Sequence, residues 1–85
     1  MNDNIQLSVI IPVYNTQEYL ERCVNGVIAN KGINMEIILV DDGSTDASPS
    51  LCDNYSSKYD FIKAVHISNY GPATAKNRGL EIARG

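Results

Sequence analysis

SVIIPVYNTQEYLERCVNGVIANKGINMEIILVDDGSTD, residues 8–46 of an 85-residue chain, sets two short apolar runs on either side of a segment with helical spacing. Leu7 to Val13 is nearly all apolar and rich in Val and Ile, as a strand covered on both faces reads. In the intervening segment Tyr19, Leu20, Cys23, Val24, Val27 and Ile28 recur at helical spacing and make one apolar stripe. Asn15 is placed to cap that helix with Glu18 three residues on, and Lys31-Gly32 supplies a stop. Ile37 to Val40 repeats the buried-strand signature and runs into DDGSTD, a turn-forming segment.

The remainder continues the alternation. Thr45 or Asp46 caps a second helix whose apolar face is Leu51, Cys52, Tyr55 and Tyr59, with Pro49 tolerable in its first turn. Ile62 to Ile67 reads as a third strand, and its Lys63 and His66 suit a sheet edge. After SNYGP, residues 73–85 read as a third helix, whose small Ala73, Ala75 and Gly79 let it lie close to the sheet. The order β-α-β-α-β-α predicts an α/β fold with a parallel sheet, half of a doubly wound architecture. Ligands of such sheets sit at the carboxyl ends of the strands, here PVYN and DDGS.

Composition narrows the function classes. Eighty-five residues make one domain at most, and 44% hydrophobic with 20% charged residues is the balance of a folded globular chain. A formal net charge of -3 argues against nucleic acid as a partner. Cys23 and Cys52 lack metal or redox spacing and read as buried free thiols. The first residues show neither a basic leader nor an apolar stretch near the about 18 residues of a membrane span, so a cytoplasmic setting without a transmembrane segment is expected; Met1 to Asn4 reads as disordered.

The first turn, PVYNTQE, has no glycine, which excludes the dinucleotide fingerprint, and no phosphate-binding G-x-x-x-x-G-K-[ST] occurs. A phosphoacceptor receiver is disfavoured because its acidic pair should follow the first strand, not the second. At the expected ligand edge stand Pro12, Tyr14 and Asn15, facing Asp41 and Asp42. A tyrosine ring can cover a pyrimidine, and a carboxylate can accept the imide N–H of uracil or thymine. The plainer alternatives are a packing role for Tyr14 and turn-forming roles for the aspartates. His66 reads as a solvated edge residue, and Arg78 as an exposed helix charge.

Residues 8–24, 36–48 and 69–85 resemble, in order, the three opening blocks of the family 2 glycosyltransferases. The resemblance implies a three-layer, Rossmann-like half of the GT-A fold, with residues 1–85 as a single truncated nucleotide-binding subdomain. It implies that Pro12, Tyr14, Asn15, Asp42 and, with it, Asp41 hold the nucleoside, and that Gly71, Lys76 and Asn77 lie beside the base and diphosphate. The family more often has Arg at position 76 and Gly at position 70, where this chain has Lys76 and Tyr70. The family's metal-binding Asp-x-Asp and its general base come later, so no catalytic and no metal-binding residue is expected here; Mg2+ or Mn2+ is expected in the full-length enzyme.

The function so implied is donor binding, for a nucleotide-diphospho-sugar and in particular a UDP-sugar, in an inverting transferase that builds a glycan or polysaccharide. A non-catalytic nucleotide-binding or self-associating module is the alternative. In the doubly wound order Leu7 to Val13 would be a bare, uncharged edge, which favours a homodimer.

Overall fold

The computed structural model describes residues 7–29, 34–68 and 71–83, apart from the side chains of residues 72 and 73. Three strands, β1 (Leu7–Val13), β2 (Met35–Asp42) and β3 (Ile62–Ile67), alternate with three helices, α1 (Gln17–Ala29), α2 (Ser48–Lys58) and α3 (Pro72–Ile82). The sheet is parallel in the order β1-β2-β3, with Ile10 opposite Ile38 and Val40 opposite Val65. The expected alternation is therefore the observed one. The disordered start expected at Met1 to Asn4, the helix stop at Lys31-Gly32, Tyr70 and the side chain of Ala73 lie outside the described residues.

β2 is central, and all eight of its residues are buried. Strand alternation divides the core into two layers. Ile37 and Leu39 join Val13, Leu20, Val24, Cys52 and Ile62 beneath α1 and α2, whereas Ile38 and Val40 meet Ala75 of α3 on the opposite face. Three layers result. Burying a side chain such as Leu39 stabilises the fold by about 1.5–3 kcal/mol, so β2 carries a large share of the core energy. Gly79 is where α3 touches the sheet: a Cβ there would lie 3.2 Å from Ile10 Cγ1 and closer still to Ile10 Cγ2.

Three expectations need correction, the first being the α2 cap, which is Ala47 without a side-chain capping bond and not Thr45 or Asp46. Cys52 is buried but Cys23 is exposed, as is Tyr19. The α1 stripe is wider than the sheet beneath it: Leu20 and Val24 point into the core, while Tyr19 and Cys23 overhang β1 and line an apolar groove of about 140 Å³ with Ile11 and Pro12. Nor does Asn15 cap its own helix. The first α1 carbonyl to accept a helical bond is that of Thr16, from the amide of Leu20, and Asn15 stands outside the helix at φ 49°.

β3 forms the second edge of the described sheet, as its Lys63 and His66 suggested. Pro49 falls in the first turn of α2, and Tyr55 and Tyr59 pack against the larger core layer, Tyr59 from just beyond the helix end. Among the described residues no helix is long and apolar enough to cross a membrane.

Candidate nucleotide-binding edge

The carboxyl ends of β1 and β2 are joined by hydrogen bonds that run in both directions between two turns. Asn15 N–H donates to Ser44 Oγ (3.0 Å), Thr16 N–H to Ser48 Oγ (3.1 Å) and Gln17 N–H to Asp46 Oδ2 (3.2 Å). In return Thr45 N–H donates to Asn15 Oδ1 (2.8 Å) and Ala47 N–H to Gln17 Oε1 (2.7 Å). The second turn thus caps the first helix. Helix amino termini offer unpaired N–H groups to anions. Here those of Thr16 and Gln17 are taken by Ser48 and Asp46. Asp46 also accepts from Ser48 N–H at 2.8 Å. Burial works to raise its pKa, but the bonds from Ser48 and Gln17 prevail and hold it below the usual carboxylate value.

Asp41 and Asp42 are the last residues of β2, not the first of the turn, which begins at Gly43 (φ 71°). Alternation sends the two side chains to opposite faces of the sheet. On the α1/α2 face, Asp41 Oδ1 accepts from Ser44 N–H (3.1 Å) and Oδ2 meets His66 Nδ1 (2.8 Å). On the α3 face, Asp42 Oδ2 accepts from the N–H of Gly71 at 2.7 Å. Gly71 has φ 99° and ψ 163°, a conformation essentially confined to glycine, and it is the residue from which α3 starts.

Of the residues expected at the site, Asn15, Asp41, Asp42 and Gly71 are bound into this connected edge, and Tyr14 and Pro12 stand exposed at the end of β1. Tyr14 is 47% exposed. Lys76 and Asn77 are exposed on the second turn of α3, and among the described residues neither bonds to the two turns. Asn77 instead lines a groove of about 340 Å³ with Ile67, Ser68, Thr74, Arg78 and Glu81. Arg78 pairs with Glu81 at 3.1 Å, the exposed helix charge it was read as.

His66 departs from the expected solvated edge residue. It is exposed, but its Nε2 lies 2.8 Å from Asp53 Oδ1 of α2 while Nδ1 holds Asp41. The Asp41 bond first and the Asp53 bond second raise its pKa above the ordinary imidazole value, against a smaller opposing effect of burial. Burial and the nearby Asp41, Asp53 and Asp46 push the Cys52 thiol up to about 12, so it stays protonated. The only sequence signal for His66 was its register, two strand residues after Ala64 and opposite Asp41 once β2 and β3 are aligned. Ser48 was also missed, being hidden inside the helix it begins.

The residues do not form a metal cage: Asp41 and Asp42 diverge, and among the described residues no group of three or more His, Cys, Asp or Glu could hold an ion.

The family model described as Glycosyl transferase family 2 matches residues 8–85. A glycosyltransferase of Streptococcus pneumoniae serotype 4, GlyG, is 44% identical over 80 residues, covering 93% of this chain and 27% of its own. Among solved structures, TarS 1-349 of S. aureus superposes with a TM-score of 0.83 at 28% identity, over 95% of this chain and 25% of that one. The mannosyltransferase PcManGT of Pyrobaculum calidifontis, solved with GDP-Man and Mn2+, gives 0.81 at 26% identity, over 91% and 24%. The chain spans about a quarter of the length of the curated relatives it matches.

Proposed function

This chain belongs to glycosyl transferase family 2, and from that premise we propose that it is the donor-binding part of an inverting transferase, with the PVYN and DDGS turns forming a subsite for the nucleoside of a UDP-sugar. The observation that carries this reading is the exposed Tyr14 ring standing on an edge made rigid by the reciprocal capping of the two turns. An exposed aromatic ring and a carboxylate at the same sheet edge suit a base with an imide N–H. A carboxylate has about four acceptor positions, so the single bond from Gly71 does not exhaust them at Asp42. Guanine also carries such an N–H, and the structural relative with GDP-Man makes GDP the comparison to run. Gly71, Lys76 and Asn77 belong to the diphosphate side of the proposal. Mg2+ or Mn2+, glycan synthesis and a cytoplasmic setting belong to the whole enzyme; the described residues of this chain do not fit a metal.

Competition of UDP, GDP, CDP and TDP by ligand-observed NMR tests the reading. UDP is expected to bind at tens of micromolar or weaker, because about 1 μM would already require about 8 kcal/mol from the base subsite alone. Asp42→Asn, which keeps an acceptor for Gly71 but loses the charge, should weaken UDP severalfold. Equal affinity in both proteins removes Asp42 from the site, and CDP binding as well as UDP removes the imide contact.

A second reading, self-association, is favoured by the β1 edge. Among the described residues β1 pairs only with β2. The Ile37 N–H points to Phe61 in the β3 direction, so alternation and register turn the Ile10 backbone away from β2, together with Pro12, which has no N–H to offer. An uncharged edge of this kind is a template for a second copy, most simply in a two-fold antiparallel pair. Light scattering from micromolar to millimolar concentration should show a dimer with a slowly exchanging Ile10 amide. A 9.3 kDa monomer throughout, with that amide exchanging fast, overturns this reading.

A further inference from the structure

Five groups form one chain of contacts from the surface of α2 to the first turn. Asp53 Oδ1 meets His66 Nε2, His66 Nδ1 meets Asp41 Oδ2, Asp41 Oδ1 accepts from Ser44 N–H, and Ser44 Oγ accepts from Asn15 N–H, next to Tyr14. Asp41 is 3% exposed, whereas Asp53 lies on the surface. We infer that His66 is a positioning residue for nucleotide binding: bridging Asp53 and Asp41, it fixes the buried carboxylate that sets the Ser44 turn and, through Ser44, the Asn15 backbone beside the Tyr14 ring. This role rests on the donor-binding reading and adds to it a residue that touches no ligand.

Charge explains why a histidine serves here. With both ring nitrogens against carboxylates, only the imidazolium can donate at both ends. Neutral imidazole donates at one end and turns a lone pair toward the other carboxylate. The acidic groups against it are Asp41 of β2 and Asp53 of α2, and both favour the charged ring. The folded pKa is raised above the free value of about 6.5, so the bridge is complete below that pH and is lost as pH rises through the folded pKa. The neutral ring can hold only one of the two carboxylates by its single N–H, and where its lone pair faces Asp41 the hold on Ser44 weakens and the candidate ligand edge loosens.

The test is UDP binding by this chain across pH 5.5 to 9, followed by two-dimensional amide NMR, in wild type, His66→Gln and Asp53→Asn. Wild-type affinity should fall about fivefold across the His66 titration, within the ordinary range of coupling between sites. The Ser44 and Asn15 amides should move with the same midpoint. Asp53→Asn, a surface change away from the turns, should shift both midpoints to lower pH, and His66→Gln should flatten the profile at the weaker affinity. A purely structural histidine would not move a midpoint in this way. UDP binding that ignores the His66 titration, or Ser44 and Asn15 amides that do so, overturns the positioning role. Absence of UDP shifts in wild type at every pH overturns the donor-binding reading instead.

Discussion

Leu39→Ala is expected to remove about 4 kcal/mol of stability, most of what a domain of this size has. Leu39 is fully buried at the middle of β2, in the layer shared with Val13, Leu20, Val24 and Cys52. Truncation of such a residue costs about 2–5 kcal/mol, and the upper part of that range applies because α1, α2 and two neighbouring strands would all have to move to close the cavity. A domain this small has a total stability of order 5 kcal/mol. Urea titration followed by circular dichroism measures the loss, with Leu51→Ala, only partly buried on α2, as the milder comparison. A loss below about 1 kcal/mol for Leu39→Ala would mean that β2 is not the central strand.

Gly79→Val should be comparably damaging for the opposite reason. Ordinarily a helical glycine replaced by alanine gains about 1 kcal/mol of helix propensity. At position 79 the added Cβ would strike Ile10, whose branched side chain is anchored in β1 and cannot swing aside as a long flexible one would. Overpacking costs about 1–3 kcal/mol, and the two further methyls of valine add to it. Shortening the obstacle is the control. Ile10→Ala combined with Gly79→Ala should be less destabilised than the sum of the single changes by about 1–2 kcal/mol. Strict additivity would show that α3 does not sit against β1 at this point.

The fold was legible because its elements announce themselves locally. β1, β2 and β3 read as apolar runs, and the Leu7–Val13 and Ile62–Ile67 bounds coincide with the observed strands. Gly79 is legible as a close approach, with Ala75, because small residues let a helix lie close to a sheet. The site was legible only in outline. Sequence brought PVYN and DDGS to one edge but could not say that Asp41 and Asp42 still belong to the strand, and so face apart. One residue of strand length decides which face a side chain takes. Capping is hidden for a related reason: Asn15 is the residue type of a helix cap, yet its partner is Thr45, thirty positions away. His66 escaped notice because its partners lie on β2 and α2, and only the register of the sheet brings them together. Helical spacing points Cys23 and Tyr19 to the interior, because spacing cannot register where the sheet beneath the helix stops.

The reciprocal capping of the two turns also bears on how the chain reaches its native state. Each of those five bonds joins residues 29 to 32 positions apart, so none can form while either turn is still a local segment. Loop closure of that length must come first, through pairing of β1 with β2 and docking of α1. The candidate ligand edge is therefore expected to form in one step with the core, with no partly folded species able to hold a nucleotide. A synthetic peptide of residues 12–20 or 41–49 would inherit the sequence of the edge but not its shape.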